Sequence, residues 1–211
     1  MMHDLIHDLA QFVSGKFCIR LEDKMEVVEQ VNVPEKARHL SYTRGDNDIF
    51  LKFEPFSKAK CLRTFLPLDA LVGFNLWHDL SNKVLHDLLP SLRFLRVLSL
   101  RGYCITMVPD SIGNLKHLRY LDLSHTAIKE LPESTSGLYN LQTLLLVECR
   151  SLTKLTTDMG TLINLRHLKT DGSNLLQMPL RMGRLKFLQT LSNFVVGEGS
   201  GSGIGELKDL L

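Results

Sequence analysis

The chain has 211 residues, 44% of them hydrophobic and 23% charged, with a formal net charge of +2. That balance excludes an acidic tail or a strongly basic nucleic-acid arm, and a mean hydropathy of +0.02 excludes a disordered chain. The longest apolar run is the four residues 144–147, far short of the ~20 a membrane-spanning helix needs. Leucine is the outlier: 42 of 211 residues, which directs attention to internal repeats.

In chain order, residues 2–13 place Leu5, Ile6, Leu9, Phe12 and Val13 on one helical face, and Gly15 suits a C-terminal stop. His3 and His7 stand four apart there, the spacing of a metal pair. No H-E-x-x-H glutamate or third ligand accompanies them, so the better reading is two histidines on a partly solvated face. Residues 17–21 and 39–43 alternate as strands do, with Pro34 and the polar stretch 44–48 as punctuation. Residues 61–66 read as an irregular repeat strand and 81–89 as a helix; residues 17–91 as a whole form an irregular N-terminal repeat region. The four cysteines (Cys18, Cys61, Cys104, Cys149) lie 43, 43 and 45 residues apart with no C-x-x-C. That spacing predicts reduced, mostly buried thiols, with neither a disulfide framework nor a zinc site. There is no basic-then-apolar leader and no Asn-x-Ser/Thr acceptor, so a cytoplasmic location is expected.

From residue 92 the leucines recur every 23 to 24 residues. Leu92, Leu95, Leu98 and Leu100 are followed by Leu115, Leu118, Leu121 and Leu123, then by Leu138, Leu141, Leu144 and Leu146. A fourth set keeps Leu162, Leu165 and Leu168 and puts Thr170 last; a fifth has Leu185, Leu188, Leu191 and then Asn193. Pro109, Pro132 and Pro179 recur in step, with Thr156 in the remaining place, and so do Gly113, Gly137, Gly160 and Gly183. This is the leucine-rich-repeat signature, here five repeats over 92–196. The closing leucines alternate as a short strand burying one face does, and a lone repeat buries too little to offset its ordering, so stability must come from stacking. Pro forbids the strand from continuing, and Gly before the next Leu is expected to permit the re-entry turn. Thr126 and Cys149 fit the place where a side chain bonds the turn backbone, a structural role and not a nucleophilic one. The fold class is therefore α/β, a leucine-rich-repeat solenoid with a parallel strand ladder on its concave face, preceded by a short helical remnant.

The residues between the inward leucines point to the concave face. They form columns: Arg96, Arg119, Gln142, Arg166, Gln189; then Val97, Tyr120, Thr143, His167, Thr190; then Ser99, Asp122, Leu145, Lys169, Ser192; and Arg101, Ser124, Val147, Asp171. Neighbouring parallel strands are about 4.8 Å apart, so three arginines in one column make a positive stripe. Tyr120, Leu145 and Val147 are expected to add exposed apolar area beside it. The candidate protein-binding residues are thus Arg96, Arg101, Arg119, Tyr120, Asp122, Leu145, Val147, Arg166, His167 and Lys169. Either this strip docks an acidic protein surface, or its Arg and Gln merely keep the sheet soluble. No nucleic-acid partner is expected at this net charge without a recognised reading motif. No nucleophile, metal cage or cofactor loop is evident, so an enzyme is not expected.

The run 197–205 is rich in glycine but lacks the G-K-[ST] ending that holds phosphate and magnesium, and it fails G-x-G-x-x-G in every register. It reads as a flexible insertion over 197–206, before a further repeat at 207–211.

Met2-His3-Asp4-Leu5, Arg38-His39-Leu40-Ser41-Tyr42, Leu62-Arg63-Thr64-Phe65-Leu66 and Phe94-Leu95-Arg96-Val97-Leu98-Ser99-Leu100 occur in that order. Together with Pro109-Asp110-Ser111-Ile112-Gly113-Asn114-Leu115, they make the chain resemble plant nucleotide-binding leucine-rich-repeat disease resistance proteins of the coiled-coil subclass. The resemblance covers essentially the whole chain. It implies that residues 1–16 are the end of the nucleotide-binding (NB-ARC, winged-helix) module. His3 would then approach the β-phosphate of bound ADP, with Met2 and Asp4 as structural companions. It also implies that the repeats sense a pathogen effector or a guarded host protein and contact the nucleotide-binding domain to hold it off. Because the sequence opens at this motif, the phosphate loop is missing. The chain therefore reads as a C-terminal fragment with no cofactor of its own, ADP or ATP being expected only with an upstream domain. The alternatives are a general intracellular repeat scaffold for signalling proteins and a truncated repeat protein without switch activity.

Overall fold

The computed structural model describes residues 15–21, 33–45, 47–68 and 78–196. The expected helix over 2–13 with His3 and His7, the glycine-rich run and the further repeat from 207 lie outside the described residues. Among the described residues there are ten strands: β1 (Cys18–Leu21), β2 (His39–Thr43), β3 (Asn47–Asp48), β4 (Thr64–Leu68), β5 (Asp79–Leu80), β6 (Val97–Ser99), β7 (Tyr120–Asp122), β8 (Thr143–Leu145), β9 (His167–Lys169) and β10 (Thr190–Leu191). Eight of them pair, all parallel, in the order β1-β2-β4-β6-β7-β8-β9-β10, while β3 and β5 form a separate two-stranded pair. The register stacks one inward side chain per rung: Ile19, Leu40, Phe65, Leu98, Leu121, Leu144, Leu168 and Leu191. From Leu40 to Leu168 these are at most 1% exposed. Such strands are too short to be stable alone, and each is held by burying its alternate leucine between neighbours.

Each repeat crosses the outside through a tight 3-10 turn, at Asp110–Asn114, Glu133–Gly137, Met159–Thr161 and Met182–Arg184. Pro109 and Pro132, extended at ψ 150° and 144°, start the first two. The glycines here have a different purpose from the one expected. Left-handed backbone among the described glycines occurs only at Gly15, Gly102 and Gly172. A Cβ on Gly113 would instead meet the Ser134 carbonyl oxygen at 2.6 Å, and one on Gly160 the Arg181 carbonyl at 2.5 Å. Glycine is there so that successive outer turns can touch. The left-handed position lies at the exit of the strand, where Gly102, His125, Glu148 and Gly172 share it.

One residue later Thr126 Oγ1 donates to the Leu123 carbonyl (2.7 Å), as does Cys149 Sγ (3.1 Å), while Ser173 Oγ bonds the Thr170 carbonyl (2.7 Å). Tyr103, in the same place of the first repeat, turns inward instead. Its hydroxyl donates to Asp48, which is 1% exposed, and lies 3.2 Å from the Tyr42 hydroxyl. Lys52 Nζ completes this group at 2.5 Å from Asp48 Oδ1. Tyr42, Phe53 and Phe65 pack beneath with ring centroids 4.9–5.3 Å apart. A buried, paired acid thus ties residues 42–53 to the first regular repeat. A π-helical turn (Val84–Leu88) running into a short α-helix (Leu89–Ser91) follows where the helix was expected.

The cysteines depart from expectation. None forms a disulfide, but Cys18 and Cys61 are exposed and Cys104 is half-buried; only Cys149 is buried. Cys18 opens an outermost strand of the sheet, and Cys61 sits in the turn before β4, so neither is enclosed on both sides.

Candidate functional site

The arginine column precedes the strands, at the residue that follows each buried leucine and enters the sheet. Backbone bonds of 2.8 Å run from Arg96 N to Arg63 O, Arg119 N to Arg96 O, Gln142 N to Arg119 O and Arg166 N to Gln142 O, with Gln189 N to Arg166 O at 2.7 Å. The same ladder continues upstream, from Arg63 N to Arg38 O at 2.6 Å. Five of seven consecutive rungs are therefore arginine: Arg38, Arg63, Arg96, Arg119 and Arg166. Arg38 and Arg63 were missed because they lie outside the regular period. The signal was present, since Leu62-Arg63-Thr64-Phe65 and Ala37-Arg38-His39-Leu40 both repeat the wording of Leu95-Arg96-Val97-Leu98.

Arg38, Arg96, Arg119 and Arg166 are exposed and Arg63 is half-buried. The ion pairs among the described residues are Lys52–Asp48, Arg150–Glu148, Lys154–Glu133 and Arg181–Asp158, none of which involves the column. Arg38 lies over the Phe17 ring, 4.9 Å from its centroid. The field of the column is felt by its neighbour: burial first, then Arg63 and Arg38, hold His39 below the usual histidine value.

The adjacent column is half-buried through Val97, Tyr120, Thr143, His167 and Thr190. His167 Nδ1 meets Thr190 Oγ1 at 3.1 Å, and His39 Nδ1 meets Thr64 Oγ1 at 3.0 Å, so side-chain bonds brace both ends. Asp122 corrects the sequence reading. It is 4% exposed, and its Oδ1 accepts from the Ser124 backbone N–H at 2.9 Å. Ser99 and Ser124, at 3% and 0%, are likewise closed over. These short polar side chains bond the strand-exit turn and do not face solvent. Tyr120 is pushed above the ordinary phenol value by burial, then by the charge of Asp122. Arg101, exposed, donates from Nη2 to His125 Nε2 (3.2 Å), and burial followed by the Arg101 charge lowers the His125 pKa. Leu145 and Val147 are half-buried, and Lys169 is exposed.

The arrangement offers an open, cationic and braced sheet edge suited to contact with a partner. Among the described residues no three His, Cys, Asp or Glu side chains gather as a metal site. Burial pushes the Cys149 thiol up, in keeping with its role in the turn. Among the same residues no helix is long and apolar enough to cross a membrane. His3, Met2 and Asp4 lie outside the described residues.

The chain is similar to known proteins. Over 210 residues the chain is 49% identical to At3g14460 of Arabidopsis thaliana, whose name assigns it to disease resistance; the match covers 100% of this chain and 14% of that protein. RPP13-like protein 1 of Arabidopsis thaliana, also named for disease resistance, is 47% identical over 146 residues, covering 69% and 13%. The chain thus spans about a seventh of the length of these relatives. The crystal structure of a TDR receptor superposes with a TM-score of 0.54 at 17% identity, over 92% of this chain and 39% of that one, a likeness of fold alone. The family model described as a leucine-rich repeat region matches residues 77–211. With its parallel ladder, its recurring outer turns and this match, the chain belongs to the leucine-rich repeat family.

Proposed function

We propose that this chain is the recognition and autoinhibitory region of an intracellular plant immune receptor and that it works by binding proteins, not by catalysis. The observation that carries the reading is the column of five arginines on an open parallel sheet, in a chain 49% identical over its whole length to a protein named for disease resistance. Five cations on seven consecutive rungs raise the local concentration of an acidic partner and orient its approach. That partner is a pathogen effector or a guarded host protein. A second contact, within a full-length receptor, is with the nucleotide-binding domain, where His3 with Met2 and Asp4 would meet the β-phosphate of ADP. The location is cytoplasmic, and no nucleic acid is bound. The exposed residues Arg96, Arg101, Arg119, Arg166 and Lys169 supply the charge, and Tyr120, Leu145, Val147 and His167 form the floor.

The test is the combined charge reversal Arg96→Glu, Arg119→Glu and Arg166→Glu. Partners cross-linked to the chain in infected plant tissue should be lost from the triple variant while its circular dichroism melt is unchanged. Unaltered partner capture by that variant ends the proposal.

A further inference from the structure

We propose that partners dock on the rim where the chain climbs into each strand, and that this rim takes an acidic protein segment carrying aliphatic or aromatic anchors. The proposal rests on the protein-binding reading above and gives it a location and a partner chemistry.

Two independent distributions meet at that rim. The first is charge. The stretches 92–97, 115–120, 138–143, 162–167 and 185–190 contain six cations (Arg93, Arg96, Lys116, Arg119, Arg166, Lys186) and no Asp or Glu. All seven acidic residues between 92 and 191 fall on strand ends, on the outgoing side or in the outer turns. The second is apolar exposure. Phe94, Tyr139, Ile163 and Phe187, all in these stretches, are 53%, 50%, 52% and 60% exposed, whereas Tyr120, Leu145 and Val147 on the sheet are half-buried; Met107 and Leu176 are exposed as well, but on the outgoing side, where the acidic residues lie. Exposed large apolar side chains among unpaired arginines have the composition of binding hot spots.

The rim is also preorganised. Phe94 lies flat against His117 with centroids 5.5 Å apart and planes at 16°. Asn140 Nδ2 donates to the Lys116 carbonyl (2.8 Å) and Asn164 Nδ2 to the Tyr139 carbonyl (2.7 Å), pinning each turn to the one before. Little ordering is left for binding to impose. A second copy of this chain would bring cations against cations, so charge complementarity selects an acidic occupant.

The experiment is selection of peptides from a random library on the immobilised 211-residue chain, followed by anisotropy titration of the enriched peptides. Enriched sequences should set Asp or Glu beside Leu, Phe or Trp. The combined variant Phe94→Ser, Tyr139→Ser and Phe187→Ser should weaken them roughly tenfold or more with an unchanged melt. The Arg96, Arg119 and Arg166 reversal should do the same, and Lys129→Glu, exposed on the outgoing side, should leave affinity within about twofold. Loss on charge reversal with no effect of the serine variant overturns the rim and leaves the protein-binding reading intact. No effect of either overturns both. Failure to enrich acidic peptides, or tighter binding of phosphatidylserine vesicles or a single-stranded oligonucleotide, overturns the partner class.

Discussion

Gly113 and Gly137 occupy the same place in successive repeats, yet alanine should be costly at the first and nearly neutral at the second. A Cβ at Gly113 would stand 2.6 Å from the Ser134 carbonyl oxygen, 2.8 Å from Ser134 Cβ and 3.1 Å from Ser134 C. Those atoms belong to the next outer turn, so the clash is relieved only by prying two turns apart. Overpacking of this kind costs about 1–3 kcal/mol. For a chain of this size, each kcal/mol lowers Tm by roughly 2–4 °C. A Cβ at Gly137 would meet only the Lys116 ammonium at 2.8 Å, the tip of an exposed side chain, with the Gly113 carbonyl at 3.9 Å. Lys116 can swing away at the loss of one surface bond to the Gly137 carbonyl (3.0 Å). The lower chain entropy of alanine when unfolded, worth about 0.4–1 kcal/mol, offsets that loss. Thermal melts should show Gly113→Ala clearly destabilised, Gly160→Ala alike, and Gly137→Ala near neutral. Equal losses at 113 and 137 would show that backbone conformation, not clearance, requires glycine there.

Three further outcomes follow from the packing. Leu144→Ala empties a position that is 0% exposed between Leu121 and Leu168 and should cost about 2–5 kcal/mol in urea unfolding; a loss under 1 kcal/mol would mean the rung collapses. Asp48→Ala strands the Lys52 ammonium, 14% exposed, and the Tyr103 hydroxyl, so a loss of about 3–5 kcal/mol is expected, with Asp48→Asn milder; equal stability of Asp48→Ala and the parent would remove the tie between the first strands and the repeats. His125 has its pKa lowered on folding, chiefly by burial and then by Arg101, so the unfolded chain binds more protons below the unperturbed 6.5. Its contribution is whole above that pH and lost as the pH falls through it. His125→Gly should flatten this acid dependence and, by relieving φ 57°, raise neutral stability by up to about 1 kcal/mol; an unchanged pH slope refutes the assignment.

Much of the architecture follows from local pattern. Alternation at 17–21 and 39–43 and the period at 92–191 report which side chains a short strand must bury, and the strands lie there, the first starting one residue later at Cys18. The outer turns follow Pro109 and Pro132 because proline cannot continue a ladder. The leucine columns, the leucine-rich-repeat class and the arginines at 96, 119 and 166 were readable from spacing alone. What spacing could not supply is the phase between distant segments. His39 pairs with Thr64 and Thr64 with Val97, separations of 25 and 33 residues that break the period. Only sheet register therefore brings Arg38 and Arg63 into the same column. Burial depth was equally out of reach: Asp122 and Ser124 occupy solvent-facing places in the pattern and are closed over by the exit turn they bond. The same holds for Tyr103 and Asp48, 55 residues apart, whose bond depends on two chain segments meeting in space. A sequence determines which residues want to be buried; which polar group meets which, and which cations share an edge, is settled when the rungs stack.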